Sequence, residues 1–338
     1  MGRRAVETIK TVLPPRRWRA LRRATNRLRW LLKISLLRQY GFPIARRPIR
    51  ALRYVLWDPE VESFTYELAN AAEMAAFAAP VLGVDTDQAV RWIDEARTDP
   101  LLTRDRGFHW SCKRRQPLGN RTLWYLVIRA TKPRLVVEAG VHEGLGSEMI
   151  LVALRRNAAE GRPGKLISFD IHDDTGWLVA PELRDNWEFV LESTLTGMQR
   201  ALRGRTVDLF VHETPHVHEF IVPEVQTVAR HADGRLIVLD TSGCTCAALE
   251  EICDACGARC HHFLDEPLDH IVRSNGTNLA VFDGEALRRA CVAPPRAHSA
   301  RRRAAALTTA VVSKLLFALA TCTDTLGASA EVAALAAM

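Results

Sequence analysis

The chain contains no run of roughly eighteen uncharged apolar residues, so no membrane-spanning helix is predicted. Met1 to Pro15 lacks the sustained apolar stretch and small-residue site of a secretion signal. The eight cysteines do not make a disulfide framework, because the chain is long and five of them crowd between Cys244 and Cys260. A reducing, cytoplasmic setting is the expectation. That cysteine segment also lacks the two well-separated ligand pairs of a structural zinc site. Leu249, Ile252, Cys253, Cys256 and Cys260 recur at three or four residues, which predicts the buried face of one helix.

Positive charge is scarce where a pI argument would place it. The net charge is +7 over 338 residues. Met1 to Glu60 carries sixteen Lys or Arg against three acidic residues, hence +13, which leaves −6 for the remainder. The basic character belongs to the leader, and no nucleic-acid partner is predicted. Within the leader, Arg16 to Leu37 interleaves arginines with Trp18, Leu21, Leu28, Trp30 and Leu31. A basic amphipathic helix there would suit an anionic membrane surface. The competing reading is an extension that packs on its own domain or on a partner subunit.

What is present centres on Lys132 to Asp170. Leu135-Val136-Val137 is a short apolar run that ends in Glu138, Gly140, Gly144, Gly146 and Ser147, after which Met149 to Leu154 resumes at helical spacing. The pattern predicts strand, glycine turn, helix, with glycines that let the backbone approach a ligand. A phosphate cradle would be repelled by a fixed carboxylate at Glu138, whereas a cationic amino group would be attracted. The next predicted strand, Lys165–Asp170, ends in a carboxylate suited to ribose hydroxyls. A ligand with a ribose, a positive end and no phosphate is S-adenosylmethionine rather than NAD.

The segment resembles motif I of the class I S-adenosylmethionine-dependent methyltransferases, in the branch of small-molecule and sugar O-methyltransferases. The likeness runs over roughly Phe64 to Phe282. It includes Arg129-Ala-Thr-Lys-Pro133, Phe169-Asp170-Ile171, Val207 to Glu213 and Phe263-Leu-Asp-Glu-Pro267. It implies an α/β fold, a Rossmann-like and mostly parallel sheet with an antiparallel edge strand. Strands are expected at Arg134–Glu138, Lys165–Asp170, Glu188–Glu192, Val207–His212, Arg235–Asp240, Ala258–Leu264 and Asn278–Phe282. The division expected is a basic extension at 1–60, a helical N-terminal cap at 61–131, the methyltransferase domain at 132–290 and an Ala-rich tail at 291–338. In the cap, Phe64–Ala79 and Thr86–Arg97 are expected helices, the second N-capped by Asp85 or Thr86. The basic stretch before the first strand, with Arg121 and Arg129, reads as a helix with a solvated basic face.

The resemblance implies that Glu138, Gly140, Gly144, Gly146 and Ser147 hold the methionine part of the cofactor, Asp170 the ribose, and Glu192 the adenine. It places His216 where the family has a His after the fourth strand, with Glu213 where an Asp is usual. A histidine near neutral pKa is suited to deprotonating an acceptor hydroxyl. Some members hold Mg²⁺ here, and the candidate ligands are Glu213 and Asp240, with Thr241 where a second acidic or amide residue would stand. His218 is expected to be polar loop filling. The function implied is methyl transfer to a hydroxyl of a sugar or secondary metabolite, with a small-molecule acceptor and self-association. The rivals are a non-catalytic fold relative whose basic leader binds a partner, and an NAD-dependent oxidoreductase, which needs a tighter glycine fingerprint.

Overall fold

The computed structural model describes residues 66–104, 119–241, 246–268 and 276–292. The basic leader, Trp110 to Arg115, Gly243, Cys244 and the Ala-rich tail lie outside the described residues.

The element order is β1 (Glu67–Leu68), α1 (Ala71–Leu82), α2 (Thr86–Thr98), α3 (Pro100–Thr103), α4 (Arg121–Thr131), β2 (Leu135–Ala139), α5 (Leu145–Ala159) and β3 (Lys165–Asp170). A 3₁₀ turn at Pro181–Asn186 leads into β4 (Trp187–Leu191), α6 (Thr194–Ala201), β5 (Leu209–His212), α7 (His218–Ala229) and β6 (Arg235–Asp240). The last elements are α8 (Cys246–Cys256), β7 (Cys260–Phe263), β8 (Pro267–Leu268), β9 (Thr277–Asp283) and α9 (Gly284–Val292).

Seven strands form one sheet in the order β4-β3-β2-β5-β6-β9-β7. The pairs from β4 to β6 are parallel, and β9 runs antiparallel to both β6 and β7. The chain winds outward from β2 to β4 and returns to β5, so the strand order reverses between β2 and β5. In such sheets ligands bind outside the carboxyl ends of the strands at that reversal.

Strand residues alternate between two apolar layers, as a period of two requires. Val136, Leu166, Leu209, Val211, Ile237 and Leu239 pack with the helices of the N-terminal part and α5. Val137, Ile167, Phe169, Phe210, Val238 and Phe282 pack with α6, α7, α8 and α9. The central strands β2, β5 and β6 are buried on both faces, which explains why they read as continuous apolar runs.

Four local expectations are corrected. Residues 67–68 form a strand paired with 267–268, and the helix starts only at Ala71. The Ala69 amide donates to the Glu266 carbonyl at 2.8 Å, and the Tyr66 hydroxyl donates to Asp265. Pairing with a segment about two hundred residues away overrides local helix propensity. The basic face of α4 is not solvated. Arg129 is buried, with Nε donating to Glu95 Oε1 at 2.7 Å and a terminal nitrogen to Glu160 Oε1 at 2.5 Å. Arg121 is also buried and stacks over the Trp124 ring at 5.3 Å. Cys260 does not continue the cysteine helix, since α8 ends at Cys256 and Cys260 opens β7. Val207 and Asp208 precede β5 rather than forming its start.

Candidate active site

The glycine turn links β2 to α5 at the reversal point. Gly140 has φ +91°, His142 +51° and Gly144 +91°, so three left-handed residues make the corner in five positions. Its glycines serve the protein's own packing. A Cβ on Gly140 would strike the carbonyl of Glu213 in the loop after β5. One on Gly144 would lie 2.8 Å from Gly176 Cα, and one on Gly146 would lie 2.7 Å from the Trp124 ring and 3.0 Å from Glu138 Oε1. The room expected for a ligand is taken on the Cβ side of all three glycines by protein atoms.

Asp170 organises the same corner. Its Oδ2 accepts from the amides of Val141 and His142, each at 3.0 Å, and Oδ1 accepts from the His172 amide at 3.0 Å. A carboxylate has about four lone-pair sites, so three amide bonds leave room for a ribose hydroxyl. No side chain caps α5, whose N-cap is Gly144, and its leading amides are the donors available to a bound group.

Glu138 lies beneath this corner, 1% exposed. Its Oε2 accepts from Ser147 Oγ and Ser168 Oγ, each at 2.6 Å, and Trp187 Nε1 donates to Ser168 Oγ at 2.9 Å. Burial pushes the carboxyl up to about 7, against the lowering effect of the two serine hydroxyls. Glu192 follows β4, whose Leu191 is in register with Asp170. It pairs with Arg200 and faces Gly197. Its pKa is lowered, first by the Thr196 hydroxyl and then by Arg200.

The loop after β5 carries the reactive-looking groups. Thr241 Oγ1 donates to Glu213 Oε1. His216 Nδ1 lies 3.3 Å from Asp240 Oδ1, and Asn278 Nδ2 donates to Asp240 Oδ2 at 2.7 Å. Burial lowers the His216 pKa, but its hydrogen bond to Asp240 and the nearby carboxylates outweigh that and raise it overall. His212, the last residue of β5, is fully buried, with Nδ1 2.7 Å from Glu224 Oε2 on α7. The His212 and His216 rings meet edge to face at 5.4 Å. His218 lies apart, 3.7 Å from Glu251 at the α7–α8 side.

The fold thus brings Glu138, Gly140, Ser147, Asp170, Glu213, His216 and Asp240 to the carboxyl ends of β2, β3, β5 and β6. Glu192 stands further out along the same edge. Glu224 and Asn278 were not among the expected site residues, and His212 was expected only as part of the reactive stretch His212–His218. His212 was visible beside Glu213, but nothing in the sequence joins it to a glutamate on the following helix.

The arrangement does not suit Mg²⁺ held by Glu213 and Asp240. Mg²⁺ takes hard oxygen ligands in near-octahedral geometry. Here Glu213 is engaged by Thr241, Asp240 Oδ2 by Asn278, and an imidazole nitrogen faces Asp240 Oδ1.

Residues 137–240 match the family model described as a methyltransferase domain. The strand order agrees with this match, and together they mark a methyltransferase domain of Rossmann-like fold over these residues. No curated protein matches by sequence. Among solved structures, cofactor-bound Rv0187 from MTB is 16% identical, with 64% of this chain and 99% of that chain covered at a TM-score of 0.40. An O-methyltransferase from Bacillus cereus in complex with SAH is 10% identical, with coverage of 66% and 100% and a TM-score of 0.37. A putative O-methyltransferase from Klebsiella pneumoniae is 12% identical, with coverage of 60% and 90% and a TM-score of 0.36. At these TM-scores the likenesses carry no further argument.

Proposed function

We propose that the protein transfers the methyl group of S-adenosylmethionine to a hydroxyl oxygen of a small acceptor, a sugar or secondary metabolite. The observation that carries this reading is the His216–Asp240 pair, which stands across the strand reversal from the glycine turn. The His216 side chain is 32% exposed and Asp240 is buried, so an acceptor can reach the ring while the carboxylate orients it. In the metal-free protein His216 takes the hydroxyl proton as the oxygen attacks the methyl carbon. The carbon–sulfur bond breaks and its electron pair stays on sulfur, which leaves S-adenosylhomocysteine. Most of the rate enhancement in such a transfer comes from positioning.

The cofactor reading assigns the leading amides of α5 and Glu138 to the methionine end, Asp170 to the ribose and Glu192 to the adenine edge. Glu138 suits a cationic amino group because ion pairing favours the charged carboxylate that burial opposes.

The test has two stages. Calorimetric titration with S-adenosylmethionine and S-adenosylhomocysteine, with NAD as control, should show binding of both adenosyl ligands alone. Labelled-methyl transfer to a panel of hydroxylated acceptors should then fall at least tenfold in His216→Ala with cofactor affinity retained. A folded protein that binds neither adenosyl ligand overturns the reading.

A further inference from the structure

We infer that His212, His216 and Asp240 form a binding site for a borderline transition-metal cation, Zn²⁺, Mn²⁺ or Fe²⁺, rather than for Mg²⁺. One ligand atom from each of the three lies within 4.8 Å of the others. Two imidazoles and one carboxylate are a donor set that such ions accept and Mg²⁺ does not favour.

The independent observation is His212. Its ring is fully buried, and Nε2 has no hydrogen-bond partner among the described residues. Leaving a buried polar atom unpaired is costly, so such an atom calls for an explanation. The other nitrogen supplies one. Nδ1 lies 2.7 Å from Glu224 Oε2, and a carboxylate there accepts a hydrogen bond from Nδ1–H. The Nε2 lone pair is then free to bind a cation. A carboxylate that holds a histidine by one nitrogen while the other binds metal is the usual outer support of such sites.

Glu224 is itself fixed, accepting from Thr194 Oγ1 at 2.5 Å and from Thr214 Oγ1 at 3.0 Å. Asn278 likewise holds Asp240, and His262 Nδ1 stands 2.7 Å from Asn278 Oδ1. Two of the three ligands are therefore buried and braced. The third is half-buried on the loop between β5 and α7 and can adjust. Ligand atoms around a tetrahedral ion with bonds of about 2.0–2.1 Å stand roughly 3.4 Å apart. Closing the site from separations of up to 4.8 Å asks for a movement of at most about 1.4 Å, within reach of a turn of the His216 side chain.

The role of the site, though not its existence, rests on methyl transfer to a hydroxyl. Three protein ligands leave positions open for an acceptor hydroxyl, and a cation there eases loss of its proton. His216 then acts as a ligand. With no cation it is the proton acceptor.

Full-length protein stripped with a chelator would be dialysed against Zn²⁺, Mn²⁺, Fe²⁺ under argon, or Mg²⁺, and bound metal measured. About one equivalent of the transition metals and none of Mg²⁺ is expected, and Co²⁺ should give the visible absorption of nitrogen ligation. Affinity should fall at least tenfold in both His212→Asn and Asp240→Asn, and by about 10–100-fold in Glu224→Gln. Circular dichroism confirms that each variant is folded. The inference is overturned if the folded wild type binds no equivalent, or if binding survives in both ligand variants. Calorimetry with S-adenosylmethionine on the same samples separates the two readings. Metal binding without adenosyl binding sinks methyl transfer and leaves the site standing. Adenosyl binding without metal does the reverse.

Discussion

A β-carbon on Gly140 would collide with the carbonyl oxygen of Glu213, so the glycine turn after β2 and the loop after β5 meet backbone to backbone. The Glu213 amide also donates to the Ala139 carbonyl at 2.7 Å. The two loops are thus held by backbone contacts at the point where the sheet changes direction. Gly140→Ala combines a left-handed φ with a collision against backbone, and neither can relax cheaply. It should cost at least about 1–3 kcal/mol in chemical denaturation. Adenosyl-ligand affinity should fall with it, as calorimetry would show.

Glu138 makes stability depend on pH in a defined direction. Its folded pKa of about 7 lies above the ordinary carboxylate value of 4.5. The native state therefore binds the proton more tightly than the unfolded chain. The resulting stability is fully present below about pH 4.5 and is lost as pH rises through about 7, a change of up to about 3 kcal/mol. In thermal melts of the ligand-free protein across this window, Glu138→Gln should flatten the slope. A slope unchanged in that variant would show that other groups set it.

The Asp170 carboxylate gathers three amides, and a neutral amide side chain cannot accept all three with both ends. Asp170→Asn should loosen the turn. Hydrogen bonds to a charged group are worth about 1.5–3 kcal/mol each, so adenosyl-ligand affinity should weaken more than about tenfold. Equal affinity in this variant would exclude Asp170 from both turn geometry and ribose binding.

Arg129 ties α4 to α2 and to the end of α5. It donates to Glu95 and Glu160, and also to Asn157. Glu95 additionally accepts from the Tyr125 hydroxyl at 2.5 Å. Truncating one member of such a network strands the others. Arg129→Ala should destabilise the protein by about 1–3 kcal/mol in urea unfolding, and Arg129→Lys should recover only part, because an ammonium cannot reproduce the fork.

The central strands were legible because burial on both faces leaves apolar runs with sharp ends. Lys165–Asp170 and Arg235–Asp240 appear with the bounds expected. The glycine turn and its flanking carboxylates were legible because a left-handed corner next to a strand needs glycine, whatever fills the space beside it. His216 and Asp240 could each be singled out by type and by their place at a strand end.

What the sequence by itself determined was the set of strand ends and the residue types standing at them. Only the tertiary structure decided which of those residues meet. Local pattern extends over a few residues, whereas the contacts that matter join β2 to β5, β6 to β9 and β5 to α7. The pairing of His212 with Glu224 needs a strand and a helix to pack at one angle. The burial of Arg129 needs three helices, and the strand at 67–68 needs a partner about two hundred residues later. Each of these is a packing energy shared between distant segments, and no local spacing encodes it.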